Sequence, residues 1–176
     1  MTPASPIMII GGARSGKSRY AEELILHSGM NPVYLASAQA GDAEMAQRIA
    51  EHRRRRGSDW RTLEAPLALP AALRAEMAPD RAILVDCLTL WLSNLMLTGH
   101  DREAETGALL AALSSAKGLI VLVSNEVGLG IVPDNALARA FRDEAGRLNQ
   151  SVAAAVPSVA FMAAGLPLWL KGGGGP

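Results

Sequence analysis

The sequence predicts an α/β fold with a mainly parallel sheet flanked by helices. Three observations predict it. Short apolar runs recur along the chain: Ile7-Met8-Ile9-Ile10, Val33-Tyr34-Leu35-Ala36, Ala82-Ile83-Leu84-Val85 and Leu119 to Val123. Segments with apolar residues at helical spacing lie between them. The first run leads straight into Gly11-Gly12-Ala13-Arg14-Ser15-Gly16-Lys17-Ser18, a match to G-x-x-x-x-G-K-[ST], and then into the helix-forming stretch Arg19 to Leu26. Strand, glycine-rich loop and helix is the setting this motif requires.

The loop residues define a chemistry. Gly11, Gly12 and Gly16 let the backbone curl with its N–H groups inward, and the positive end of the next helix adds to that field. A nucleoside triphosphate, ATP or GTP, is the expected ligand. Lys17 reaches its β- and γ-phosphates, and the Ser18 hydroxyl binds Mg2+.

Composition bounds the rest. The chain has 176 residues, enough for one domain with a sizeable core. Apolar residues make up 49% and aromatics 4%, so aliphatic side chains must fill the interior. Seventeen basic and seventeen acidic residues cancel, so no net field favours nucleic acid or a membrane surface. The single Cys87 excludes an internal disulfide and reads as a buried thiol. No signal peptide or membrane-length apolar run is evident, so a cytoplasmic protein is expected.

Taken in order, Met1 to Pro6 read as a frayed leader. The first strand, the loop and a helix follow, and then a turn at Ser28-Gly29-Met30-Asn31-Pro32. After the second strand comes a small-residue loop, Ser37 to Gly41. Asp42 caps a helix running to about Arg56, with Met45, Ile49 and His52 on one face and Arg53, Arg54, Arg55 and Arg56 at its end. Trp60 to Glu64 is a short extended segment, and a short helix ends before Pro79. Asp86 closes the next strand. Helices follow from Leu88 to Leu97 and from Asp101 to Lys117. Leu119 to Val123 then leads into the loop Ser124 to Pro133. Asp134 is the expected cap of a long helix whose stripe is Leu137, Phe141, Leu148 and Val152. A late strand at Val159 to Met162 and a turn at Gly165 give a closing hairpin. The expected organisation is one nucleotide-binding domain over 1–171 and a disordered glycine-rich tail over 172–176. Loops 11–18, 37–41, 86–89 and 124–133 would gather at the strand carboxyl ends, where such sheets bind ligands.

Three further side chains carry candidate chemistry, each with an ordinary alternative. Asp86 is placed to hold Mg2+, or to cap the helix that starts at Leu88. Glu126 can orient a hydroxyl nucleophile, or stand as a solvated loop acid. His52 can attack an activated phosphorus and form a phosphoramidate, with the arginines neutralising phosphate charge. Otherwise it is a surface histidine in a basic face. The arginine run lacks interleaved aromatics, which argues against nucleic acid.

Together these segments resemble the bifunctional adenosylcobinamide kinase/adenosylcobinamide-phosphate guanylyltransferase family. The resemblance rests on Gly11 to Arg19, on Glu44-Met45 through His52-Arg53, and on Trp60-Arg61-Thr62 with Glu64. It rests further on Asp86-Cys87-Leu88-Thr89 and on Ser124-Asn125-Glu126-Val127-Gly128-Leu129-Gly130-Ile131-Val132-Pro133. Phe141-Arg142-Asp143 and Gly146 to Gln150 complete it, so that it spans Met8 to about Lys171. It implies a RecA-like P-loop NTPase sheet, a homotrimer and a role late in cobalamin assembly. Adenosylcobinamide would be phosphorylated with ATP or GTP. GMP would then pass from GTP to adenosylcobinamide phosphate through a guanylylated histidine, by position His52. The catalytic pair is thus His52 and Lys17. The nucleotide contacts fall on residues 11–18 (Gly11, Gly12, Ala13, Arg14, Ser15, Gly16, Lys17, Ser18), on Ser37, Arg53 to Arg56, Glu64, Asp86 and Glu126, and the metal contacts on Ser18 and Asp86. The competing readings are a P-loop kinase of another small alcohol, and a nucleotide-driven ATPase or switch. For a GTPase switch, Asn125-Glu126-Val127-Gly128 lacks the lysine and aspartate of N-K-x-D.

Overall fold

The computed structural model describes residues 3–38, 54, 57 and 59–173. Among these, seven strands form one sheet in the order β3-β2-β4-β5-β1-β6-β7. The strands are β1 (Ile7–Gly11), β2 (Asn31–Ala36), β3 (Arg61–Glu64), β4 (Arg81–Asp86), β5 (Leu119–Asn125), β6 (Ser158–Ala163) and β7 (Leu166–Lys171). The helices are α1 (Lys17–His27), α2 (Leu69–Glu76), α3 (Leu88–Thr98), α4 (Arg102–Ser114) and α5 (Ala136–Ala155). All neighbouring strands pair in parallel except β6 and β7, which form the expected antiparallel hairpin.

The continuous apolar runs have a direct cause. Every residue of β1 is buried, because both faces of the central strands are covered. Alternate residues serve the two faces. Met8, Ile10, Ile83, Val85, Ile120 and Leu122 pack on one side with side chains from α2, α3, α4 and α5. Ile7, Ile9, Leu84, Val121 and Val123 pack on the other with Ala21 and Ile25 of α1 and with Trp60. Trp91, on α3, is fully buried and donates its indole N–H to the carbonyl of Leu67. No helix of the described residues is long and apolar enough to cross a membrane.

Three expectations are corrected. In the leader, Ala4 and Ser5 are held down rather than frayed; residues 1–2 lie outside the described residues. The Ser5 hydroxyl accepts from the Ile120 N–H at 2.9 Å, and the Ser158 hydroxyl donates to the Ala4 carbonyl at 2.7 Å. The cap of α5 is Asn135, whose side-chain oxygen accepts from Ala138 N–H at 2.8 Å; Asp134 stands one residue too early. Leu137 is exposed, and the buried stripe of α5 starts at Ala145. The capping residue of α4 is Asp101, which accepts from the N–H groups of Glu103 and Ala104. In the tail, the carbonyl of Gly172 accepts from the Ser158 hydroxyl at 3.4 Å; residues 174–176 lie outside the described residues.

Candidate active site

The site is built where four strands end. In the parallel register Ala36 stands beside Asp86, Asp86 beside Val123, and Asn125 beside Gly11. The carboxyl ends of β2, β4, β5 and β1 therefore lie side by side. The segments that begin at Ser37, Asp86 and Ser124 leave the sheet at the same end as the loop 11–18, as the sequence reading expects; residues 39–41 lie outside the described residues.

The glycine-rich loop connects β1 to α1. Gly16 caps α1 with φ of 96° and offers no side chain to the helix's first N–H groups, which stay available to an anion. Arg14 takes φ of 54° and is exposed with Ala13 at the loop's crest. Gly11 has no room for a side chain, since a Cβ there would stand 2.5 Å from the Met162 carbonyl oxygen. The turn of the β6–β7 hairpin braces the loop from behind. Gly165 N–H donates to the Ser15 carbonyl at 3.0 Å, and a Cβ at Gly16 would lie 3.1 Å from the Gly165 Cα.

Lys17 is buried inside this curl. Its Nζ donates to the Gly12 carbonyl at 2.5 Å and reaches the Ser15 hydroxyl at 3.5 Å. Burial pulls its pKa below 10.5, and Cys87, once its thiol ionises at alkaline pH, and the Asp86 carboxylate partly oppose that shift. An amine in this position gains most when an anion arrives. Ser18 is half-buried in the first turn of α1, and Asp86 is half-buried at the end of β4, where the Tyr34 hydroxyl lies 3.4 Å from its carboxylate. A hydroxyl and a carboxylate flanking a phosphate loop fit a magnesium ion, which takes one or two protein oxygens and completes its shell with phosphate and water. A cage made of protein alone is not present: no group of three or more His, Cys, Asp or Glu among the described residues is placed to hold a metal.

A buried polar network ties these ends together, and the sequence reading did not find it. The Ser124 hydroxyl donates to Asn149 Oδ1 at 2.6 Å, and Asn149 Nδ2 donates to the Asn125 carbonyl at 3.1 Å. Asn125 Nδ2 donates to the Thr89 hydroxyl at 2.7 Å, and that hydroxyl meets Cys87 Sγ at 3.2 Å. Ser37, fully buried, accepts from Cys87 N–H at 2.9 Å and donates to the Cys87 carbonyl at 2.7 Å. Its hydroxyl is thus engaged with the end of β4. The Cys87 thiol is pushed up to about 11, mainly by burial, so it is protonated at neutral pH and no nucleophile.

Glu126 is half-buried one residue past β5. Its N–H donates to the Gly11 carbonyl at 2.9 Å, and its Oε1 accepts from Gly128 N–H at 2.6 Å. Glu64 ends β3 in register with Ala36 and is exposed. Arg54 is exposed, while His52, Arg53, Arg55 and Arg56 lie outside the described residues. A separate cavity between α3, α4 and α5 is lined by Leu92, His100, Arg102, Glu144 and Arg147 and shares no residue with the loop.

Comparison with known proteins gives this site a context. A sequence model of the family described as "Cobinamide kinase / cobinamide phosphate guanyltransferase" matches residues 7–170. The chain is 56% identical over 167 residues to the bifunctional adenosylcobalamin biosynthesis protein CobP of Pseudomonas aeruginosa, covering 94% of this chain and 96% of that one. It is 41% identical to the protein CobU, of the same description, from Escherichia coli, covering 94% and 99%. Among solved structures it resembles an ATPase of a type III secretion system (TM-score 0.52, 15% identity, 93% of this chain, 56% of that one). It also resembles the flagellar accessory protein FlaH of Methanocaldococcus jannaschii (TM-score 0.50, 12% identity, 94% and 77%). These last likenesses concern the fold, which is that of RecA-like P-loop NTPases.

Proposed function

From the premise that the chain belongs to the cobinamide kinase / cobinamide phosphate guanyltransferase family, we propose that it runs both of that family's reactions. In the first, adenosylcobinamide takes the γ-phosphoryl group of ATP or GTP on its aminopropanol hydroxyl. In the second, GMP passes from GTP to the new phosphate, giving adenosylcobinamide-GDP and pyrophosphate. The observation that carries this reading is a family match over residues 7–170 in a chain whose phosphate loop, Asp86 and Glu126 stand at the carboxyl ends of the neighbouring strands β1, β4 and β5.

The residues divide the work. The N–H groups at the start of α1 and the loop Gly11 to Ser18 hold the phosphates, and Lys17 neutralises charge that builds on the transferred group. Ser18 and Asp86 would hold Mg2+, which supplies a Lewis-acid contact to the phosphate oxygens. Glu126 orients the acceptor hydroxyl and takes its proton as the bond to phosphorus forms. Glu64 and Arg54, with Arg53, Arg55 and Arg56, belong to the nucleotide contacts of the guanylyl step, in which His52 is the nucleophile. Guanylyl transfer through histidine keeps its balance. A ring nitrogen bonds to the α-phosphorus as pyrophosphate leaves, and an oxygen of adenosylcobinamide phosphate then displaces the histidine.

A homotrimer is part of the same reading. It is supported by β7, an edge strand on which Leu166, Leu168 and Leu170 are exposed in alternation, an arrangement suited to burial against another copy. A cytoplasmic location and the absence of nucleic acid among its partners complete the proposal.

The test is product formation. Purified protein, adenosylcobinamide and ATP with Mg2+ should give the phosphate, and later addition of GTP should give adenosylcobinamide-GDP, both resolved by liquid chromatography and mass spectrometry. Phosphorylation of other alcohols in preference, or hydrolysis stimulated by nucleic acid with no corrinoid product, would overturn it.

A further inference from the structure

Beside Glu126 the chain does something unusual for a soluble surface. Leu129 is 81% exposed, Ile131 98%, and Val132 and Leu137 lie open as well. These four large aliphatic side chains fall within nine residues, and none is packed against either core cluster. Single exposed aliphatics need no explanation; a run of this kind marks a binding surface.

The position of the run is informative. Val127, next to Glu126, is half-buried and packs on the core, so the start of the loop is anchored. Glu126 is itself tied to both ends of the problem: its N–H holds the Gly11 carbonyl, and its carboxylate holds Gly128 N–H. Two residues separate Glu126 from Leu129, a reach of at most about 10 Å. The apolar loop therefore starts directly at the acceptor side of the phosphate loop.

The substrate chemistry supplies an occupant. The reacting hydroxyl of cobinamide sits on a short aminopropanol arm, and that arm hangs from a large ring whose edge bears methyl groups and amide chains. With the hydroxyl beside Glu126, the ring has to rest on surface next to it. We infer that the loop Leu129 to Val132, with Leu137 at the start of α5, is the platform for the corrin ring. The inference rests on the function proposed above and deepens it. Leu129 and Ile131 meet the methyl-bearing edge of the ring, and the exposed backbone at Gly130 faces its amides. The exposed leucines of β7 lie on a different element and serve the contact between copies.

The test uses the double variant Leu129→Ser/Ile131→Ser, which changes two exposed side chains and leaves the core and the phosphate loop untouched. Equilibrium dialysis against adenosylcobinamide, read by the corrinoid's own visible absorbance, should show binding weaker by roughly ten- to a hundredfold, the loss expected for two aliphatic contacts. The KM for ATP, and the mass by sedimentation, should match the wild type. Unchanged corrinoid affinity overturns the inference. So does dissociation of the oligomer with corrinoid affinity retained, which would make the loop an interface between copies. Dialysis also separates this inference from the kinase reading. Weakened binding in the variant, with no phosphate transfer by the wild type, keeps the platform and sinks the kinase.

Discussion

Lys17 is a cation held where cations are disfavoured. Desolvation lowers its pKa, and the nearby Asp86 and Cys87 offset only part of that. It is kept in the loop by the Gly12 carbonyl, a contact that a phosphate oxygen can replace. Lys17→Ala should therefore lower phosphoryl transfer by about 10²- to 10³-fold, the scale of one missing preorganised donor. Its thermal midpoint should stay at or above the wild-type value, because a desolvated charge is removed. Near-normal turnover in the folded variant would end the role assigned to Lys17. Cys87 gives a second, separable effect. Its folded pKa of about 11 lies above the ordinary 9.0, so the folded state keeps a proton that the unfolded chain loses between those values. The stabilisation is full below pH 9 and falls away as pH rises to about 11, by about 2–3 kcal/mol in all. Lys17 acts in the opposite sense as pH climbs toward 10.5. Comparing wild type with Cys87→Ala in urea, in metal-free buffer, isolates the thiol: the variant should lack the alkaline loss. Parallel pH profiles for the two proteins would show that the thiol titrates normally.

The carboxyl end of β5 is the element on which the site depends most. Ser124 and Asn125 close a run of five apolar residues, and α5 reaches them with Asn149, which is buried on the same helix face as Leu148 and Val152. Asn149→Ala leaves the Ser124 hydroxyl and the Asn125 carbonyl without these partners, at a cost of about 2 kcal/mol or more. Because Asn125 precedes Glu126, kcat for phosphorylation should fall while the KM for ATP stays near its wild-type value. A variant that loses stability but keeps its kcat would make Asn149 purely structural. Part of this element was legible in the sequence. The apolar runs marked the strands because strands buried on both faces must be apolar throughout. The glycine motif marked the phosphate loop because only that backbone fits its curl. Polar residues ending an apolar strand were also a usable signal, and Ser124, Asn125 and Asn149 form a partnership that spacing alone does not disclose. Their separation of 24 and 25 residues is closed only by the packing of α5 on the sheet. The cap at Asn135 was missed for a smaller reason: Asp134 and Asn135 are both good caps, and the choice between them is made by where the chain leaves Pro133.

At the scale of the whole molecule, the parallel order β2-β4-β5-β1 does what no single motif can, since it brings four distant stretches of sequence into one row of strand carboxyl ends. The alternation of strand and helix foretold that row. It did not foretell that the β6–β7 turn would brace the phosphate loop, a contact made by chain segments 150 residues apart, Ser15 and Gly165. The molecule must also serve two reactions, and in the proposed scheme His52 separates them. The sequence places an imidazole on the Met45-Ile49-His52 spacing, followed at once by Arg53 to Arg56, in the segment between β2 and β3. In that scheme the kinase step uses the loop, Lys17 and the carboxylates Asp86 and Glu126 at the strand carboxyl ends, and no nucleophile from the protein. The guanylyl step needs one. Incubation with GTP labelled at the α-phosphate should leave label on the peptide containing His52. The bond should be labile to acid and stable to base, as a phosphoramidate is and a serine ester is not. His52→Ala should lose the label and the formation of adenosylcobinamide-GDP while it keeps measurable phosphorylation of adenosylcobinamide. His52→Asn should match it, because an amide cannot replace the attacking nitrogen. Adenosylcobinamide-GDP formed by His52→Ala at the wild-type rate would exclude the covalent route through this residue. Loss of both activities in a folded variant would instead make His52 a general nucleotide contact and leave its role as nucleophile without support.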